Sequence, residues 1–409
     1  MTMICLIDCD NFFASCETLF APHYKNKPLV VVSGKNGIVI ARSKEAKALN
    51  IPMGAASFEY KSLFIKEDVI LQQVNHTLYH DISNRVRETV ATFSLPTFIY
   101  SVDEMFLQIP KELGTDALLK EIQTKIKRWT GIGTSLGLSK TKTLAKIATE
   151  KAKQSTSHRC ILIKDEEIHS TLETFAVEDI WGIGKASVNK LSMYRVKMAK
   201  DLLLLNPDTL KKQLGVTGSR IVKELEGVNA YPFLQPPVEK SMQITKTFPA
   251  DIVSIEQLRK ILGTFITRGC EKLRKMKKEA SLIEIFLHSS RFKEDQKSFW
   301  KNYTLDQPSN FTPDFLHLKE DFLKDFMDGE ILIKRAGIGF SLLTEVSCSQ
   351  KNLFVETKPQ QATLMTALDQ INLRYGDGSL RFASCAPSSI KTPLKSNAYT
   401  TCWDELCQV

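Results

Sequence analysis

The sequence predicts a mixed α/β and α+β protein built from several domains. Strand and helix patterns alternate over about residues 1 to 165, without a low-complexity linker or a solenoid-type repeat. Short helices interrupted by glycine turns follow, and after the proline-rich stretch 231–237 long strands and one long helix return. At 409 residues the chain is long enough for several domains with sizeable cores.

Two acidic clusters, each at the end of an apolar strand, point to the chemistry. The first contains Asp8 and Asp10, with Cys9 between them pointing away. The second contains Asp103 and Glu104, which reach one site only if the chain forms a hairpin tip or a bulge there. Carboxylates without a nearby histidine suit Mg²⁺ far better than Zn²⁺. The clusters therefore indicate phosphoryl transfer, with solvated loop acids as the alternative.

Glycine turns between short helices indicate contacts with a phosphate backbone. Backbone N–H groups at the start of a helix approach a phosphate closely only where no side chain intervenes. Such contacts hold a duplex without reading its sequence. An ordinary turn between two helices is the alternative for both sites. The residues concerned are Gly182, Gly184 and Lys185 in the first turn and Gly215 and Gly218 in the second.

The long helix predicted from about residue 255 to 279 is rich in lysine and arginine. Strands near 243–248, 282–288 and 331–340 surround it in the sequence. Together with a formal net charge of +9, the basic helix favours a polyanionic partner, and Lys272 and Arg274 are its candidate contacts. A solvated helix face is the alternative reading.

Composition excludes some other classes. The nine cysteines are scattered and odd in number, without a C-x-x-C pair, so they favour buried thiols in a reducing cytoplasm over disulfides or a zinc site. No signal peptide is expected, because acidic residues interrupt the early apolar run. No apolar stretch approaches the roughly 20 residues of a membrane span.

Four motifs in a fixed order resemble those of the Y-family DNA polymerases, and most closely the UmuC-type translesion polymerases. The likeness runs from Met1 to the C-terminus, and four ordered motifs make it far more specific than a single glycine pattern. The motifs are the segments DCDNFFASCE at 8–17, ARSKEAK at 41–47, YSVDE at 100–104 and GLSKTKTLAK at 137–146.

This resemblance implies a right-hand polymerase fold. The palm is expected over residues 1 to 165, with a small fingers insertion at about 21 to 77. The expected remainder is a helix-hairpin-helix thumb at 166–236, a linker at 237–241, a little finger at 242–346 and a C-terminal tail at 347–409.

The resemblance also implies a template-directed DNA polymerase that performs error-prone translesion synthesis in DNA repair and the SOS response. Its partners would be primer-template DNA and a dNTP, and its cofactor two Mg²⁺ ions. Asp8 and Asp103 would bind both ions, Glu104 the ion on the primer side and the backbone carbonyl of Cys9 the other. In the two-metal scheme the ions activate the primer 3′-OH and stabilise the leaving pyrophosphate.

Two further sets of residues would bind the nucleotide in such an enzyme. Lys44, Lys47 and Lys153, with Arg42 as a further candidate, match the positions that neutralise the triphosphate, although many relatives have Tyr and Arg where Lys44 and Lys47 stand. Phe13 matches the steric gate that leaves no space for a ribose 2′-OH. The alternatives are a solvated helix face for the lysines and a core position for Phe13.

The tail contains a segment that resembles the bacterial sliding-clamp peptide. Gln350, Leu353 and Phe354 would bind the clamp, unless the two apolar residues pack on their own domain. An accessory subunit or a recombinase filament is a further possible partner. Two other functions remain open, a non-catalytic DNA-binding scaffold and a palm-type nucleotide cyclase. Intact acids disfavour the first, and the glycine turns, basic little finger and clamp peptide disfavour the second.

Overall fold

The computed structural model describes residues 2–34, 37–113, 115–233, 239–293, 295–325, 332–348, 359–376, 378–385, 395–397 and 399–406. The chain divides into two compact units, of which the first is Met1–Gln235 with Thr392–Val409 and the second is Pro236–Lys391. The predicted tail is therefore shared between both units, a division that the sequence does not indicate. None of the helices in the described ranges is both long and apolar enough to cross a membrane.

The first unit contains the two N-terminal sheets and most of the helices. Its strands are β1 (Thr2–Cys9), β2 (Leu29–Val32), β3 (Val39–Arg42), β4 (Ile70–Gln73), β5 (Thr97–Ile99), β6 (Glu104–Pro110), β7 (Thr134–Ser139) and β8 (Arg159–Leu162). Its α-helices are α1 (Phe12–Phe20), α2 (Lys44–Ala48), α3 (Lys61–Lys66), α4 (His76–Ala91), α5 (Asp116–Thr130), α6 (Lys142–Gln154), α7 (Asp165–Thr174), α8 (Lys185–Ser192), α9 (Ala199–Leu203) and α10 (Pro207–Leu225).

The larger sheet has the strand order β5-β6-β1-β7-β8, with β1 at its centre. β1 runs antiparallel to β6 and β7, and both of its faces are covered. Cys5 and Ile7 face the core that includes α4 and α5, whereas Ile4 and Leu6 pack on the opposite side with Ala145 of α6. Burial on both faces explains why β1 is a continuous apolar run without polar alternation.

A smaller sheet of order β3-β2-β4 forms the region predicted as the fingers. β2 pairs antiparallel with β3 and parallel with β4. Its own core consists of buried residues on β2, β3, α2, the loop after α2 and α3, namely Val30, Val32, Val39, Ala46, Ile51 and Phe64. The insertion therefore has an apolar core distinct from that of the larger sheet.

The capping of α6 fixes the helix that carries the last of the predicted motifs. The Thr141 hydroxyl accepts a hydrogen bond from the Leu144 N–H (3.3 Å), and the Glu224 carboxylate accepts one from the Thr143 N–H (3.0 Å). A hydroxyl cap and a carboxylate both stabilise a helix N-terminus, because they satisfy free N–H groups and complement the helix dipole. Glu224 is fully buried on α10, so α6 is held to the region predicted as the thumb.

The second unit is an antiparallel sheet packed against helices. Its strands are β9 (Ser241–Ile252), β10 (Lys278–His288), β11 (Ser298–Ser309) and β12 (Ile333–Glu345), in the order β11-β10-β12-β9. Its α-helices are α11 (Ile255–Lys275), α12 (Thr312–Leu316), α13 (Leu318–Lys324) and α14 (Pro359–Tyr375). Gly269 brings α11 close to the sheet, since a Cβ there would lie 2.3 Å from a ring carbon of Phe340.

The expectation of a helix reaching about residue 279 is corrected by the structure. α11 ends at Lys275, and Lys277 adopts a left-handed conformation with φ of 54°. This residue reverses the chain, so that Lys278 and Glu279 begin β10. The basic residues at the end of the predicted helix therefore lie partly in a turn and a strand.

Candidate active site

The predicted metal-binding acids meet at one end of the β1–β6 pair. Asp8 is the cross-strand partner of Glu104, and the Cys9 N–H donates a hydrogen bond to the Asp103 carbonyl (2.9 Å). The turn between β5 and β6 is closed by N–H groups of residues 100 and 101, which both donate to the Glu104 carbonyl at 3.1 Å. Asp103 and Glu104 therefore lie at a hairpin tip, one of the two geometries considered from the sequence.

Two lysines of α6 neutralise these acids. Lys146 Nζ lies 2.8 and 2.9 Å from the two carboxylate oxygens of Glu104, and Lys153 Nζ lies 2.9 Å from Asp8 Oδ2. Residues seven positions apart project from the same face of a helix, so one helix supplies both cations. Lys146 was not among the predicted site residues. Its spacing of seven from Lys153 places the two lysines on one helix face, but does not indicate that Lys146 pairs with Glu104.

The electrostatics of Asp8 reflect this crowding. The pKa of Asp8 is raised to about 7, mainly by burial. The ammonium group of Lys153 lowers this pKa in part, whereas repulsion from Glu104 and Asp103 raises it further. Burial would lower the pKa of Lys153, but the carboxylates of Asp8 and Glu150 raise it above its ordinary value. Several carboxylates thus lie close together at this edge of the sheet, and nearby cations stabilise their ionised form.

The donor set fits a hard divalent cation. Side chains near Asp8 offer carboxylate oxygens, and the Cys9 thiol is buried in the core with a pKa raised well above its ordinary value, so it is not available as a thiolate ligand. In the described ranges no three His, Cys, Asp or Glu side chains converge closely enough to hold an ion as they stand. Glu104 is directed at Lys146, and the Ser101 hydroxyl donates to Asp103 Oδ1 (2.5 Å).

Asp10 is directed away from this cluster, although extended geometry places it on the same face as Asp8. The Ser135 hydroxyl donates to Asp10 Oδ1 (2.7 Å), and His158 Nδ1 lies 3.4 Å from Asp10 Oδ2. β1 ends at Cys9, and Asn11 adopts a left-handed φ of 49° that turns the chain into α1. The strand alternation therefore stops before Asp10.

The predicted triphosphate contacts lie on β3, α2 and α6. Loss of hydration, followed by repulsion from Arg42 and Lys153, lowers the pKa of Lys47, while Asp8 and Asp10 oppose the decrease. The charges of Lys47, Arg42 and Lys153 therefore influence the same region as the carboxylates of Asp8 and Asp10. Arg42 donates to the Ile51 carbonyl (2.5 Å), and its buried Nε has no partner among the described residues. Lys44 is exposed at the start of α2.

Phe13 lies on α1 directly after the turn at Asn11. Its ring stacks on Tyr79 of α4, with centroids 4.3 Å apart and planes 18° from parallel, and contacts His76 edge-on at 6.2 Å. Phe12 is buried in the core, whereas Phe13 is partly exposed. Phe13 also packs against the core of the larger sheet, and part of its ring remains accessible.

The predicted DNA contacts divide into exposed and internally bonded residues. Gly182, with φ of 93°, Gly184 and Lys185 are exposed at the start of α8, and Gly215, with φ of 65°, interrupts α10. Gly218 is buried, since a Cβ there would lie 2.4 Å from the Leu214 side chain.

The two predicted contacts on α11 also differ from each other. Lys272 is exposed on the helix. The Arg274 guanidinium donates to both oxygens of Asp369 on α14, at 2.7 and 2.8 Å, and to the Asn310 carbonyl (2.8 Å). Arg274 therefore stabilises the second unit internally. The predicted clamp residues Gln350, Leu353 and Phe354 lie outside the described residues.

Family comparisons agree with the four motifs. Residues 7–150 match the model of the impB/mucB/samB family, residues 239–353 that of the C-terminal domain of the same family, and residues 362–409 a domain of unknown function, DUF4113.

Two curated relatives and one solved structure illustrate the similarity. The Protein UmuC of Salmonella typhimurium is 30% identical over 100% of both chains. A DNA polymerase IV of Desulfatibacillum aliphaticivorans is 25% identical, over 96% of this chain and 99% of the relative. A Y-family DNA polymerase chimera of Dbh and Dpo4 has a similar fold, with a TM-score of 0.68 and 21% identity over 84% of this chain and 99% of the chimera.

Proposed function

This chain belongs to the impB/mucB/samB family, and we propose that it copies damaged templates by two-metal nucleotidyl transfer at the end of β1. Family and fold make it a DNA-directed DNA polymerase of the Y family that performs error-prone translesion synthesis.

One observation carries the site assignment. The cross-strand pair of Asp8 and Glu104, with Asp103 beside it, lies next to the cationic groups of Lys146, Lys153 and the fingers. Carboxylates for metal ions and ammonium groups for a triphosphate are the two requirements of phosphoryl transfer.

One group of residues would bind the metal ions and another would bind the triphosphate. Asp8 and Asp103 would bind two Mg²⁺ ions, with Glu104 on the primer-side ion and the Cys9 carbonyl on the other. When bound, the ions would make the primer 3′-OH more acidic and neutralise charge on the phosphates. Lys153 would bind the triphosphate, and Lys44, Lys47 and Arg42 would contribute the remaining positive charge.

Other residues would discriminate between nucleotide sugars and bind the DNA backbone. Phe13 would contact the deoxyribose and exclude a 2′-OH by steric clash. The exposed turn containing Gly182, Gly184 and Lys185 would approach the duplex backbone, and Lys272 would add a phosphate contact from α11. Arg274 is paired with Asp369, so we do not propose it as a phosphate contact.

Partners beyond DNA and nucleotide are proposed from sequence alone. The segment with Gln350, Leu353 and Phe354 would bind the sliding clamp, and an accessory subunit or recombinase filament would act in addition. The cysteines described as free thiols, among them Cys5, Cys16 and Cys270, agree with a reducing cytoplasm as the place of action.

Primer extension with a radiolabelled primer-template, Mg²⁺ and dNTPs tests this function. Template-directed extension past an abasic site is expected from the wild-type chain. A scaffold protein would bind the same DNA without extending it, and a cyclase would convert a nucleotide without any primer. Either of these outcomes would contradict the proposal.

A further inference from the structure

The C-terminal segment, described over residues 395–397 and 399–406, packs near α1, which carries the proposed sugar gate, and near α4. Lys395 forms a parallel β-bridge with Gln73 at the end of β4. Tyr399 stacks on Phe20 at the end of α1, with centroids 4.8 Å apart and planes 9° from parallel. The described part of this segment therefore belongs to the first unit, although it follows the second unit in sequence.

Asn75 binds this segment at the start of α4. Its amide Nδ2 lies 3.1 Å from the Ser396 carbonyl, 3.0 Å from the Ser396 hydroxyl and 3.1 Å from the Asn397 carbonyl. The same side chain caps α4, because its Oδ1 accepts a hydrogen bond from the Leu78 N–H (3.4 Å). Asn75 is fully buried, so these bonds satisfy an amide that water does not reach.

Ser396 also reaches the buried carboxylate of α1. Its hydroxyl donates to Glu17 Oε1 (3.0 Å), and the Tyr79 hydroxyl donates to the same oxygen (2.6 Å). Glu17 is only 2% exposed. A carboxylate in this position depends on its donors, since a buried polar group without hydrogen bonds is strongly destabilising. Removal of either hydroxyl would leave the Glu17 carboxylate with one donor fewer. The carboxylate and the other hydroxyl would then shift from their positions.

The network ends at the gate itself. Tyr79, whose hydroxyl is held by Glu17, presents its ring to Phe13 in a near-parallel stack at 4.3 Å. Tyr79 is 1% exposed, so its ring has little freedom apart from what its neighbours allow. A series of direct contacts thus runs from Ser396 through Glu17 and Tyr79 to Phe13.

We propose that Ser396 is a positioning residue for sugar discrimination, because it holds Tyr79, through Glu17, in the orientation that sets the Phe13 ring. The inference rests on the proposed function of Phe13 as the steric gate. It gives a role to part of the chain beyond residue 355, for which the sequence predicts none. Ser396 would touch neither substrate nor metal, and its effect would be on selectivity.

The test compares the efficiency ratio, kcat/KM for a ribonucleotide over kcat/KM for the matching deoxyribonucleotide, in variants of the full chain. Ser396→Ala and Tyr79→Phe each remove one donor to Glu17 and are expected to raise this ratio about threefold to tenfold, the effect of losing one hydrogen bond. Ser396→Thr keeps the hydroxyl and should restore the wild-type ratio. Thr401→Ala, at an exposed position of the same segment, is the matched control.

A double variant shows whether Ser396 acts through the gate. In a Phe13→Ala background, adding Ser396→Ala should leave the ratio where Phe13→Ala has put it, because the ring that Ser396 positions is gone. A ratio that rises further would overturn the inference. General loosening of the fold would reduce the use of both nucleotides and leave the ratio of Ser396→Ala at the wild-type value, which would also overturn it.

The assay separates this inference from the assignments on which it rests. An unchanged ratio in Phe13→Ala would overturn the steric gate and the positioning role together. A raised ratio in Phe13→Ala with wild-type ratios in Ser396→Ala and Tyr79→Phe would overturn the positioning role alone. Thermal unfolding of each variant accompanies the kinetics, and a lower midpoint is expected for Ser396→Ala than for Ser396→Thr, since only threonine keeps the hydroxyl donor to Glu17.

Discussion

Lys153 forms an ion pair with Asp8, with Nζ 2.9 Å from Oδ2, across the space between the end of α6 and the end of β1. The pair joins a residue proposed to bind the triphosphate to one proposed to bind metal. The ammonium group that would bind the triphosphate thus lies within hydrogen-bonding distance of a proposed metal ligand.

Lys153→Ala is expected to raise KM for the dNTP about tenfold to a hundredfold, because it removes one charged hydrogen-bond donor to the triphosphate. The dissociation constant for primer-template should change little. Steady-state extension at varied dNTP concentration gives KM, and fluorescence anisotropy gives DNA affinity. Lys120→Ala, at an exposed position of α5, is the control. An unchanged KM would remove Lys153 from the nucleotide site.

Asp103→Asn and Glu104→Gln are each expected to lower the extension rate by at least about a hundredfold, because each removes charge that stabilises the transition state. DNA binding should be retained, since neither residue belongs to the proposed DNA-binding surfaces. Glu121→Gln on the exposed face of α5 is the matched control. Extension by either site variant at the wild-type rate would refute the two-metal assignment.

Phe13→Ala should raise the use of ribonucleotides by orders of magnitude while the use of dNTPs survives, because the change deletes a clash and no catalytic group. The efficiency ratio of ribonucleotide to deoxyribonucleotide is the measurement. Phe12→Leu in the adjacent core is the comparison, and it should leave that ratio unchanged. If the ratio does not rise in Phe13→Ala, Phe13 is a packing residue that supports Tyr79.

Glu17→Gln should flatten the pH dependence of stability. Burial raises the pKa of Glu17 above its ordinary value, while hydrogen bonds from Tyr79 and Ser396 oppose the increase. The folded chain therefore keeps a proton that the unfolded chain releases, and this stabilisation is complete below the ordinary glutamate pKa. It is lost as pH rises through the raised value.

Thermal unfolding of wild type and Glu17→Gln from pH 4 to 9 measures this effect. The wild type should lose more thermal stability than the variant as the pH rises, because only the wild type has a carboxyl group that titrates at this position. Glutamine still accepts the two hydrogen bonds, so sugar selectivity should be preserved. Parallel pH curves for the two proteins would mean that Glu17 has an ordinary titration in the fold.

Leu353→Ala combined with Phe354→Ala should abolish stimulation by a loaded sliding clamp and spare basal extension on short primers. A clamp tether raises the local concentration of primer ends without adding contacts at the active site. A clamp-binding titration, paired with extension with and without clamp, measures both effects. Gln350→Ala should weaken binding less, since the apolar anchors carry most of such interfaces. Loss of basal extension would instead make the two residues part of a core.

Local patterns in the sequence predicted the fold class and the family, and the comparisons confirm both. The apolar run of β1 and the acids after it are continuous in the chain, so the position of Asp8 at a strand end could be read from sequence alone. The pairing of Lys146 with Glu104 could not, because it depends on how α6 lies across the sheet. Nor could the end of α11, where a single left-handed residue, Lys277, overrides a helical pattern.

The contact between Ser396 and Glu17 has a consequence for protein synthesis. The two residues are 379 positions apart, so at about 5–20 residues per second the ribosome adds Ser396 some tens of seconds after Glu17. Until then α1 and α4 fold with Glu17 and Asn75 lacking their final hydrogen-bond partners. The catalytic unit thus emerges first from the ribosome and acquires its last packing element only after the second unit has been translated.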